Sequence, residues 1–563
     1  MCGFLLLVLI AIIARSAETA NVLVIIPFTS KSHYIVLRPI GVELARRGHN
    51  VTVITANKEA DPPPNYYEVM VDNKEIWDVI GEKRPNIFTM VDKSAEEFHE
   101  KILWGGGYGF TQVALNSFKV KEFLKNDNNF DLVISEHFYH ESFYFLAHKY
   151  KAPLVLLRTA GNCMNHNFLT GNPLQLSTVV HEYLNVNDLK NLWSKMRNLY
   201  FTMYEYFWWK YWYLEKQEQL VKTYLAEDLS ETQPSLYDMQ RNASLFLINS
   251  HFAFDTPAAL LPNIVEIGGI HLSESNSSLP DDLQIILDNS KHGVIYMNFG
   301  SNVQSSELPV EKKMAFVNVF SKLKQTVLWK WEEDKFENKS ANIVTRKWLP
   351  QKEILAHPNI KVFIAHGGLI GTQEAIFNGV PIVGVPIYAD QYKNILQVQK
   401  AGFGRMLEYR DINENEVENV LLDILTDDSY KNKAYEISQR FKDRPMTPLD
   451  TAMFWLEYVI RHRGADFMKN PARELSWFEY MMLDVFFVIF AGIITFVAFF
   501  TIAQKLLRKV LRSRLKIKKS LIKKYGKSLC IINGFQLHAL LLIVDRAKKF
   551  FLILKRLVSH NSS

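Results

Sequence analysis

Short apolar runs alternate with longer segments of helical period over most of the chain. Asn21–Pro27 reads N-V-L-V-I-I-P, a continuous apolar run typical of a buried strand, and Asn50–Ile54 is a second such run. Between them, Pro39–Gly48 has a helical pattern that ends on glycine, as helix C-termini commonly do. A strand, a helix and a strand in this order predict a parallel sheet covered by helices. Further strands are predicted at Phe130–Ser135, Pro153–Leu157 and Leu245–Asn249.

The strand pattern stops at a polar segment and restarts beyond it. Ser273–Asp282 reads S-E-S-N-S-S-L-P-D-D, which is polar, small and interrupted by proline, as linkers are. The alternation begins again with an apolar run at Val294–Phe299. We therefore predict an α/β protein with two Rossmann-like domains, residues 18–272 and 291–460, joined by a linker over 273–290. Ligands are expected in the cleft between the two domains.

Two apolar segments lie outside these predicted domains. An apolar run followed by small residues, Ala14-Arg15-Ser16-Ala17, predicts a signal peptide over residues 1–17. Residues 485–503 form a stretch of 19 residues without a charge, long enough to span a membrane. Basic residues follow at once, so we predict a single-pass type I protein with lumenal domains. The remaining parts are then a juxtamembrane segment, 461–484, and a basic cytosolic tail, 504–563.

Charge excludes one class of partner. The whole chain carries +6, but residues 504–563 contain 16 Lys or Arg against one acid and so carry +15. The other 503 residues therefore carry −9, which argues against nucleic acid as a partner. Of three cysteines, only Cys163 lies outside the predicted signal and tail. A disulfide framework or a cysteine zinc cluster in the body is excluded.

Sequons agree with a lumenal body. Asn242, Asn276 and Asn338 each begin an N-x-S sequon and are candidates for glycosylation. Asn50 also begins a sequon, but it opens a predicted strand and is expected to be unmodified. Aromatic residues are densest at Tyr200–Tyr213. Singly they favour core positions, and as a group they favour a pocket for flat apolar molecules.

A glycine-rich turn carries the main chemical signal. Lys361–Ala365 predicts a strand, His366–Gly371 a turn, and Thr372–Asn378 a helix. Such a turn leaves backbone N–H groups at the helix N-terminus free to bind an anion. His366 can hydrogen-bond that anion, and Glu374 can accept from a pair of ribose hydroxyls. The pattern predicts a phosphosugar site, although similar turns serve backbone geometry alone in many α/β proteins.

The wider pattern resembles the donor-binding signature of UDP-glycosyltransferases, the membrane-bound detoxifying family that includes the glucuronosyltransferases. The wording HGGLIGTQEAI is more similar to insect than to vertebrate members. The resemblance covers both halves and implies the GT-B fold, with two Rossmann-like domains facing a cleft. The residues that stand at the spacings of the signature are Trp348, Gln351, His366, Gly371, Glu374, Asp390 and Gln391.

This resemblance implies a role for each donor residue. Trp348 stacks on uracil, and Gln351 and Glu374 hold the uridine ribose. Asp390 and Gln391 hold sugar hydroxyls. The diphosphate is bound by His366 and the turn, with Gly368, Gly371 and Thr372. At the end of the first strand of the second half, Gly300 and Ser301 can offer a backbone N–H and a hydroxyl to the phosphates.

The catalytic candidates lie in the first half. His33 follows the first predicted strand, in T-S-K-S-H, where the cleft is expected to open. An imidazole titrates near neutral pH and suits a general base, and family members carry their catalytic histidine in this loop. Glu136 follows another strand where the family has aspartate, so the side chain is one methylene longer. Asp131 is the fallback partner for His33.

These residues imply direct displacement. A base-activated hydroxyl attacking the donor sugar inverts the anomeric centre, and fixed donors on the diphosphate remove the need for a metal. The sequence has no Asp-x-Asp motif of metal-dependent transferases, so no metal and no cofactor other than the UDP-sugar co-substrate is predicted. No basic residue near Asp390 obviously pairs a carboxylate, which favours glucose over glucuronic acid.

The predicted enzyme conjugates small lipophilic acceptors, for detoxification or hormone inactivation. A dedicated steroid or lipid glycosyltransferase and a catalytically silent binding protein of the same fold are the alternatives, and a homo-oligomer is possible. The resemblance implies the endoplasmic reticulum membrane. Family members usually end soon after the span, whereas this chain continues for 60 residues. Leu537–Val558 in that tail alternates apolar and basic runs and suits an amphipathic surface helix.

Overall fold

The computed structural model contains two compact units, residues up to Glu474 and residues from Leu475 onward. The first unit holds two parallel β-sheets, which confirms the predicted α/β architecture of two Rossmann-like halves. The predicted signal peptide and the sequons at Asn276 and Asn338 lie outside the described residues. The structure describes residues 19–72, 86–230, 232–272, 278–336, 339–525 and 546.

The first sheet is parallel throughout and has the order β3-β2-β1-β4-β5-β6-β7. Strand β4 is wholly buried, because helices cover both faces of such a sheet, and its sequence is therefore an almost unbroken apolar run. Five of these strands were predicted to within one or two residues, and β3 and β7 were not predicted. The strands are β1 Asn21–Ile26, β2 Asn50–Thr55, β3 Tyr66–Met70, β4 Leu132–Glu136, β5 Leu154–Arg158, β6 Leu245–Ile248 and β7 Ile264–Glu266.

The second sheet is also parallel and has the order β10-β9-β8-β11-β12-β13. In both sheets the strand order reverses beside the first strand, between β1 and β4 and between β8 and β11. Ligands of doubly wound sheets bind at the carboxyl ends of the strands that flank this reversal. The strands are β8 Val294–Asn298, β9 Thr326–Lys330, β10 Ile343–Arg346, β11 Ile360–Ala365, β12 Ile382–Gly384 and β13 Gly404–Met406.

The first helix, α1, begins at Lys31 and ends at Arg46. The prediction that it starts at Pro39 is wrong, because this proline lies inside the helix. His33 therefore occupies the first turn of α1 and not a loop. The other helices of this half are α2 Ala95–Phe98, α3 Gly105–Asn116, α4 Phe118–Lys125, α5 Phe145–Lys149, α6 Met164–Thr170, α7 Leu192–Trp208, α8 Leu214–Tyr224 and α9 Leu236–Arg241, with π-helical turns at His99–Trp104 and Trp209–Tyr213.

The aromatic stretch lies on α7 and the π-helical turn after it. The prediction that single aromatics here occupy the core is confirmed for some and wrong for others, because one face of the helix packs inward and the other faces solvent. Buried members are Phe201, Trp209 and Tyr213, and exposed members are Tyr200, Phe207, Trp208 and Tyr211.

Helix α10, Asp281–Asp288, falls inside the predicted linker. Its Leu283 and Leu287 are buried in the core of the second half, so the linker is shorter than the predicted 273–290. The helix begins directly after Pro280, with acids in its first turn, as helix N-termini prefer. The helices that follow are α11 Val310–Lys322, α12 Gln351–Leu355, α13 Leu369–Asn378, α14 Gln391–Lys400, α15 Glu414–Thr426, α16 Asp428–Lys442 and α17 Pro448–Arg461.

Helix α17 packs against the first sheet, although it follows the second half in sequence. Met453 and Leu456 are fully buried in the same cluster as residues of β1 and α1. Arg47, just after α1, also pairs with Asp450 at 2.8 Å. The predicted end of the second domain at residue 460 is therefore corrected, since this last helix completes the first half.

The second unit contains α18, Trp477–Tyr480, and α19, Leu483–Tyr525. Among the described residues, α19 is the helix long and apolar enough to cross a membrane. The predicted span, 485–503, lies inside it, and the helix continues through the basic residues instead of ending at 503. The predicted surface helix at Leu537–Val558 lies outside the described residues.

Candidate active site

His33 and Glu136 meet at the strand reversal of the first sheet. His33 lies in the first turn of α1, and Glu136 is the last residue of β4, which pairs directly with β1. His33 Nδ1 hydrogen-bonds Glu136 Oε1, and Thr159 Oγ1 lies 3.3 Å from the same nitrogen. Since Nδ1–H donates to the carboxylate, Nε2 keeps the lone pair that can accept a proton. The predicted pair is therefore brought together.

The Glu136 carboxylate is ionised and fully buried. Burial alone raises the pKa of this group, but the neighbouring imidazoles of His33 and His140 lower the pKa to about 2. The fallback partner, Asp131, is not at this site. Its carboxylate accepts a hydrogen bond from Asn21 N at 2.8 Å, at the start of β1 and the opposite edge of the sheet.

Three phenylalanines surround the His33 ring. The ring centroids of Phe28 and Phe138 lie 4.7 and 4.5 Å from that of His33. Phe110 packs on Phe28 with a centroid distance of 4.6 Å. All three are partly exposed. The His33 imidazole is therefore flanked by two apolar rings, with a third packed behind Phe28, and a ligand can reach all three.

On the second sheet, the His366 ring lies between two glycines. A Cβ on Gly300 would stand 2.7 Å from His366 Cε1, and a Cβ on Gly368 would stand 2.6 Å from His366 Nε2. Gly300 also has φ +88°, which side chains rarely adopt. Burial, and then the charge of Lys330, lower the pKa of His366 to about 4, so its imidazole is neutral. His366 Nδ1 is buried and, within the described residues, has no hydrogen-bond partner.

The turn that carries His366 ends at the N-terminus of α13. Gly368 is the N-cap and provides no side-chain cap, and the first turn contains no acid. Backbone N–H groups at such an end can bind an anion. The Thr372 hydroxyl is fully buried and donates to Gly368 O at 3.0 Å. The Thr372 hydroxyl therefore holds the turn, and the assignment of Thr372 to the diphosphate site stays a prediction.

A hydrogen-bond network joins the two predicted ribose ligands. Gln351 Nε2 donates to Glu374 Oε2 at 2.5 Å. Asn298 Nδ2 donates to Gln351 Oε1 at 2.7 Å, and Asn298 Oδ1 accepts from Gly300 N at 2.8 Å. A Cβ on Gly371 would stand 3.1 Å from Gln351 Nε2, so this glycine permits the close approach. Burial raises the pKa of Glu374 to about 7.

Asp390 and Gln391 stand at the start of α14. Asp390 Oδ2 accepts from Asn394 Nδ2 at 2.9 Å, and burial raises the pKa of Asp390. Gln391 Oε1 accepts from the backbone N–H of Ile387 at 2.9 Å, so it shapes the preceding loop. Ala389 in this loop has φ 57°, a strained conformation of the kind that clusters at functional sites.

Contacts across the crevice bring the two halves face to face. Lys31 Nζ, from the first turn of α1, lies 4.7 Å from the ring centroid of Trp348. Phe98 and Tyr388 approach with ring centroids 5.5 Å apart. Trp348 is 55% exposed and Ser301 is exposed, so both are accessible to a ligand.

Sequence reasoning missed several polar residues of this crevice. Asn298 and Lys330 are the last residues of β8 and β9, and Lys330 Nζ donates to Gly300 O at 2.9 Å. Thr159 follows directly after β5. A polar residue that ends a buried apolar strand is a detectable signal, and it is the signal that identified Glu136. Lys31 and His140 carry no such signal.

A cavity of about 600 Å³ lies elsewhere, beside the first residues of β5 and β6. Its lining contains none of the predicted catalytic or donor-binding residues. Asn242 lines it and is exposed, and its side-chain oxygen accepts from Lys469 Nζ at 2.9 Å. Because the amino ends of the strands face away from the crevice, we assign no catalytic role to this cavity.

Comparison with known proteins agrees with the geometry. The model of the family "UDP-glucoronosyl and UDP-glucosyl transferase" matches residues 20–521. A UDP-glycosyltransferase of Dactylopius coccus is 36% identical over 84% of this chain and 90% of its own. Human UDP-glucuronosyltransferase 1A10 is 29% identical over 86% of this chain and 90% of its own.

Solved structures show the fold. A UDP-glucose:anthocyanidin 3-O-glucosyltransferase in complex with UDP matches with a TM-score of 0.53 and 15% identity, over 79% of this chain and 100% of its own. The calicheamicin glycosyltransferase CalG4 matches with a TM-score of 0.54 and 17% identity, over 79% and 99%. The expected GT-B fold is confirmed. The chain therefore belongs to the UDP-glucuronosyl and UDP-glucosyl transferase family and is a UDP-glycosyltransferase.

Proposed function

We propose that this enzyme transfers glucose from UDP-glucose to a hydroxyl group of small lipophilic acceptors, with inversion and without a metal ion. The observation that carries the proposal is the His33–Glu136 pair, held at the edge of the first sheet opposite the glycine turn of the second. The ionised, fully buried Glu136 carboxylate weighs against a catalytically silent binding protein, since a buried charge without a use is costly to keep.

The base step follows from the tautomer of His33. The acceptor hydroxyl gives its proton to His33 Nε2 while its oxygen forms a bond to the anomeric carbon of the donor. The bond from that carbon to the phosphate oxygen breaks, and its electron pair leaves with UDP. Glu136 stabilises the imidazolium through Nδ1. One displacement from the face opposite the diphosphate converts an α-linked donor into a β-glycoside.

The departing charge is met by fixed groups. The uncapped N-terminus of α13, the Gly300 loop and the neutral His366 ring converge at the edge of the second sheet. Groups fixed in advance around a developing anion stabilise it without reorganisation. We therefore assign the diphosphate to this place, uracil to the exposed face of Trp348, and the ribose to Gln351 with Glu374.

The cations near Asp390 bear on whether the donor sugar is glucose or glucuronic acid. Arg158 and Lys393 lie near enough to act on the Asp390 carboxyl electrostatically. Arg158 is engaged by Glu182 and by a backbone carbonyl. Lys393 Nζ lies 4.0 Å from Asp255. Both cations already face acids within the protein, and Arg158 also donates to a backbone carbonyl. A glucuronate carboxylate would have to compete with these partners, so glucose fits the site better.

The rings beside His33 indicate the acceptor class. Phe28 and Phe138 contact the imidazole, and Phe110 packs on Phe28. An apolar wall beside the base nitrogen suits flat, lipophilic alcohols and phenols. Such conjugation would serve detoxification or hormone inactivation. A dedicated steroid or membrane lipid would fit the same wall and remains the second candidate.

We further propose a type I protein of the endoplasmic reticulum membrane, anchored by α19. The apolar part of α19 precedes its basic part, and basic residues stay cytosolic. Asn242 is exposed, and its hydrogen bond from Lys469 engages the side-chain oxygen and not the nitrogen that would carry a glycan in a lumenal body. Asn50, in contrast, donates from its side-chain nitrogen to Asn21 at 3.0 Å. Glycosidase treatment of the wild-type chain and of Asn242→Gln tests this orientation.

The proposed activity is tested by a donor panel on microsomes that contain this chain. UDP-glucose, UDP-glucuronic acid, UDP-galactose and UDP-N-acetylglucosamine are each supplied with phenol and steroid acceptors, with and without EDTA. We expect conjugates from UDP-glucose that are insensitive to EDTA. Glucuronides that disappear in Lys393→Ala would contradict the donor assignment, and loss of all activity with EDTA would contradict the metal-free step. Microsomes with His33→Ala are the control for background activity.

A further inference from the structure

The second oxygen of the Glu136 carboxylate faces another histidine. Glu136 Oε2 lies 3.4 Å from His140 Nε2, while Oε1 contacts His33. Both atoms are buried, and within the described part of the chain neither makes a hydrogen bond, so the contact between them is electrostatic. His140 itself is 1% exposed, so water does not compete for this contact. One carboxylate therefore lies between two imidazole rings.

The backbone is bent to bring His140 to this place. Tyr139 has φ 59°, a left-handed conformation that a tyrosine rarely adopts. Its carbonyl accepts from the Tyr213 hydroxyl and from Gln217 Nε2, the latter at 3.2 Å. On its other side, a Cβ on Gly107 would stand 2.4 Å from Tyr139 Cβ. Strain held by several surrounding contacts often marks a functional position.

The need for a second contact follows from the length of glutamate. Glu136 has one more rotatable bond than aspartate, so its carboxylate can turn away from His33 unless something fixes it. The Glu136 backbone is held by the Tyr144 hydroxyl, which donates to Glu136 O at 3.3 Å. That contact fixes the main chain and leaves the carboxylate free to rotate. His140 is the neighbour that can hold Oε2.

We propose that His140 is a positioning residue of the transferase. Its Nε2 faces Glu136 Oε2 at 3.4 Å and, through this electrostatic contact, keeps Oε1 directed at His33 Nδ1. This inference rests on the proposed role of the His33–Glu136 pair as base and orienting carboxylate. His140 touches neither donor nor acceptor in this account and acts through Glu136 alone. Its presence explains how this site uses glutamate as the orienting acid.

The test uses the full-length enzyme in microsomes for turnover and in detergent for UDP binding. His140→Phe keeps a ring and removes the nitrogen that faces Glu136 Oε2. We expect it to lower kcat about tenfold and to leave acceptor KM and the Kd for UDP within about twofold. His140→Gln, which can donate to the same oxygen, should recover most of the loss. His49→Phe, a buried histidine at the amino edge of the same sheet, is the control and should keep kcat.

A double-mutant cycle isolates the route through Glu136. If His140 acts only by placing this carboxylate, His140→Phe added to Glu136→Gln should cause no further loss. A further tenfold loss in the double variant, or normal kcat in His140→Phe alone, would overturn the inference. Should His140→Phe fail to fold, His140→Asn, whose amide is too short to reach Oε2, takes its place with the same expectations. Full activity in Glu136→Gln would instead contradict the proposed pair itself.

Discussion

Replacement of Glu136 by glutamine tests the orienting role of the buried carboxylate. Glutamine has nearly the same shape, and its side-chain oxygen can still accept from His33 Nδ1. The substitution therefore removes the charge and leaves the packing intact. Because Glu136 is fully buried, solvent does not screen the charge that is lost. The imidazolium formed on His33 during transfer then has no counter-charge.

The size of the effect can be worked from the pKa of Glu136. The pKa falls from its usual value of 4.5 to about 2, in spite of burial. A tenfold change in proton affinity is about 1.4 kcal/mol, so the two imidazoles stabilise the ionised carboxylate by about 3 kcal/mol beyond the cost of burial. In the proposed mechanism His33 becomes positively charged in the transition state, so most of its interaction with the Glu136 carboxylate acts there. We therefore expect Glu136→Gln to lower kcat roughly 100-fold.

The assay measures initial rates of conjugate formation with saturating UDP-glucose and acceptor, together with UDP binding by calorimetry. Glu136→Gln should lose kcat and keep the Kd for UDP, since the proposed donor site lies on the other sheet. The exposed Glu333→Gln, on the second half, is the matched control and should behave as wild type. A kcat for Glu136→Gln within threefold of wild type would refute the reasoning.

Four further predictions concern the donor site and the anchor. Because burial raises the pKa of Glu374 to about 7 and ribose hydroxyls favour the ionised form, UDP-glucose affinity should rise roughly tenfold from pH 6 to pH 8, and this rise should be absent in Glu374→Gln. Gly300→Ala places a methyl group 2.7 Å from His366 Cε1 at φ +88°, so UDP affinity by calorimetry should fall about tenfold or more. Trp348→Ala removes a stacking surface worth about 1–3 kcal/mol per base, so the Kd for UDP should rise roughly 5-fold to 100-fold, and an unchanged Kd would contradict the uracil assignment. Asn242→Gln should abolish one glycosidase-sensitive shift on a gel, whereas Asn50→Gln should abolish none.

The sequence was most informative where residues carry a strong local pattern. Strands β1, β4 and β8 were predicted closely, because strands buried on both faces are continuous apolar runs. Helix α13 ends at Asn378 as predicted, and Gly379 follows it with the left-handed φ of 62° that favours glycine there. The place of His33 and Glu136 at neighbouring strand ends followed from the same patterns.

Features set by tertiary packing were not predicted. The start of α1 was placed at Pro39, because proline favours the first helical turn, although this helix passes through it. Helix α17 returns to the first sheet, a contact that no local pattern records. Likewise, Lys31 over Trp348 and His140 beside Glu136 depend on chain segments meeting in three dimensions.

The most direct test of the whole account compares turnover and UDP binding in His33→Ala. We expect conjugate formation to fall at least about 1,000-fold, because this variant removes the base and, with it, the imidazolium that Glu136 stabilises. UDP should bind with unchanged affinity, because its proposed ligands all lie on the second half of the molecule. Conjugation by His33→Ala at near the wild-type rate would contradict the assignment of this histidine as the base.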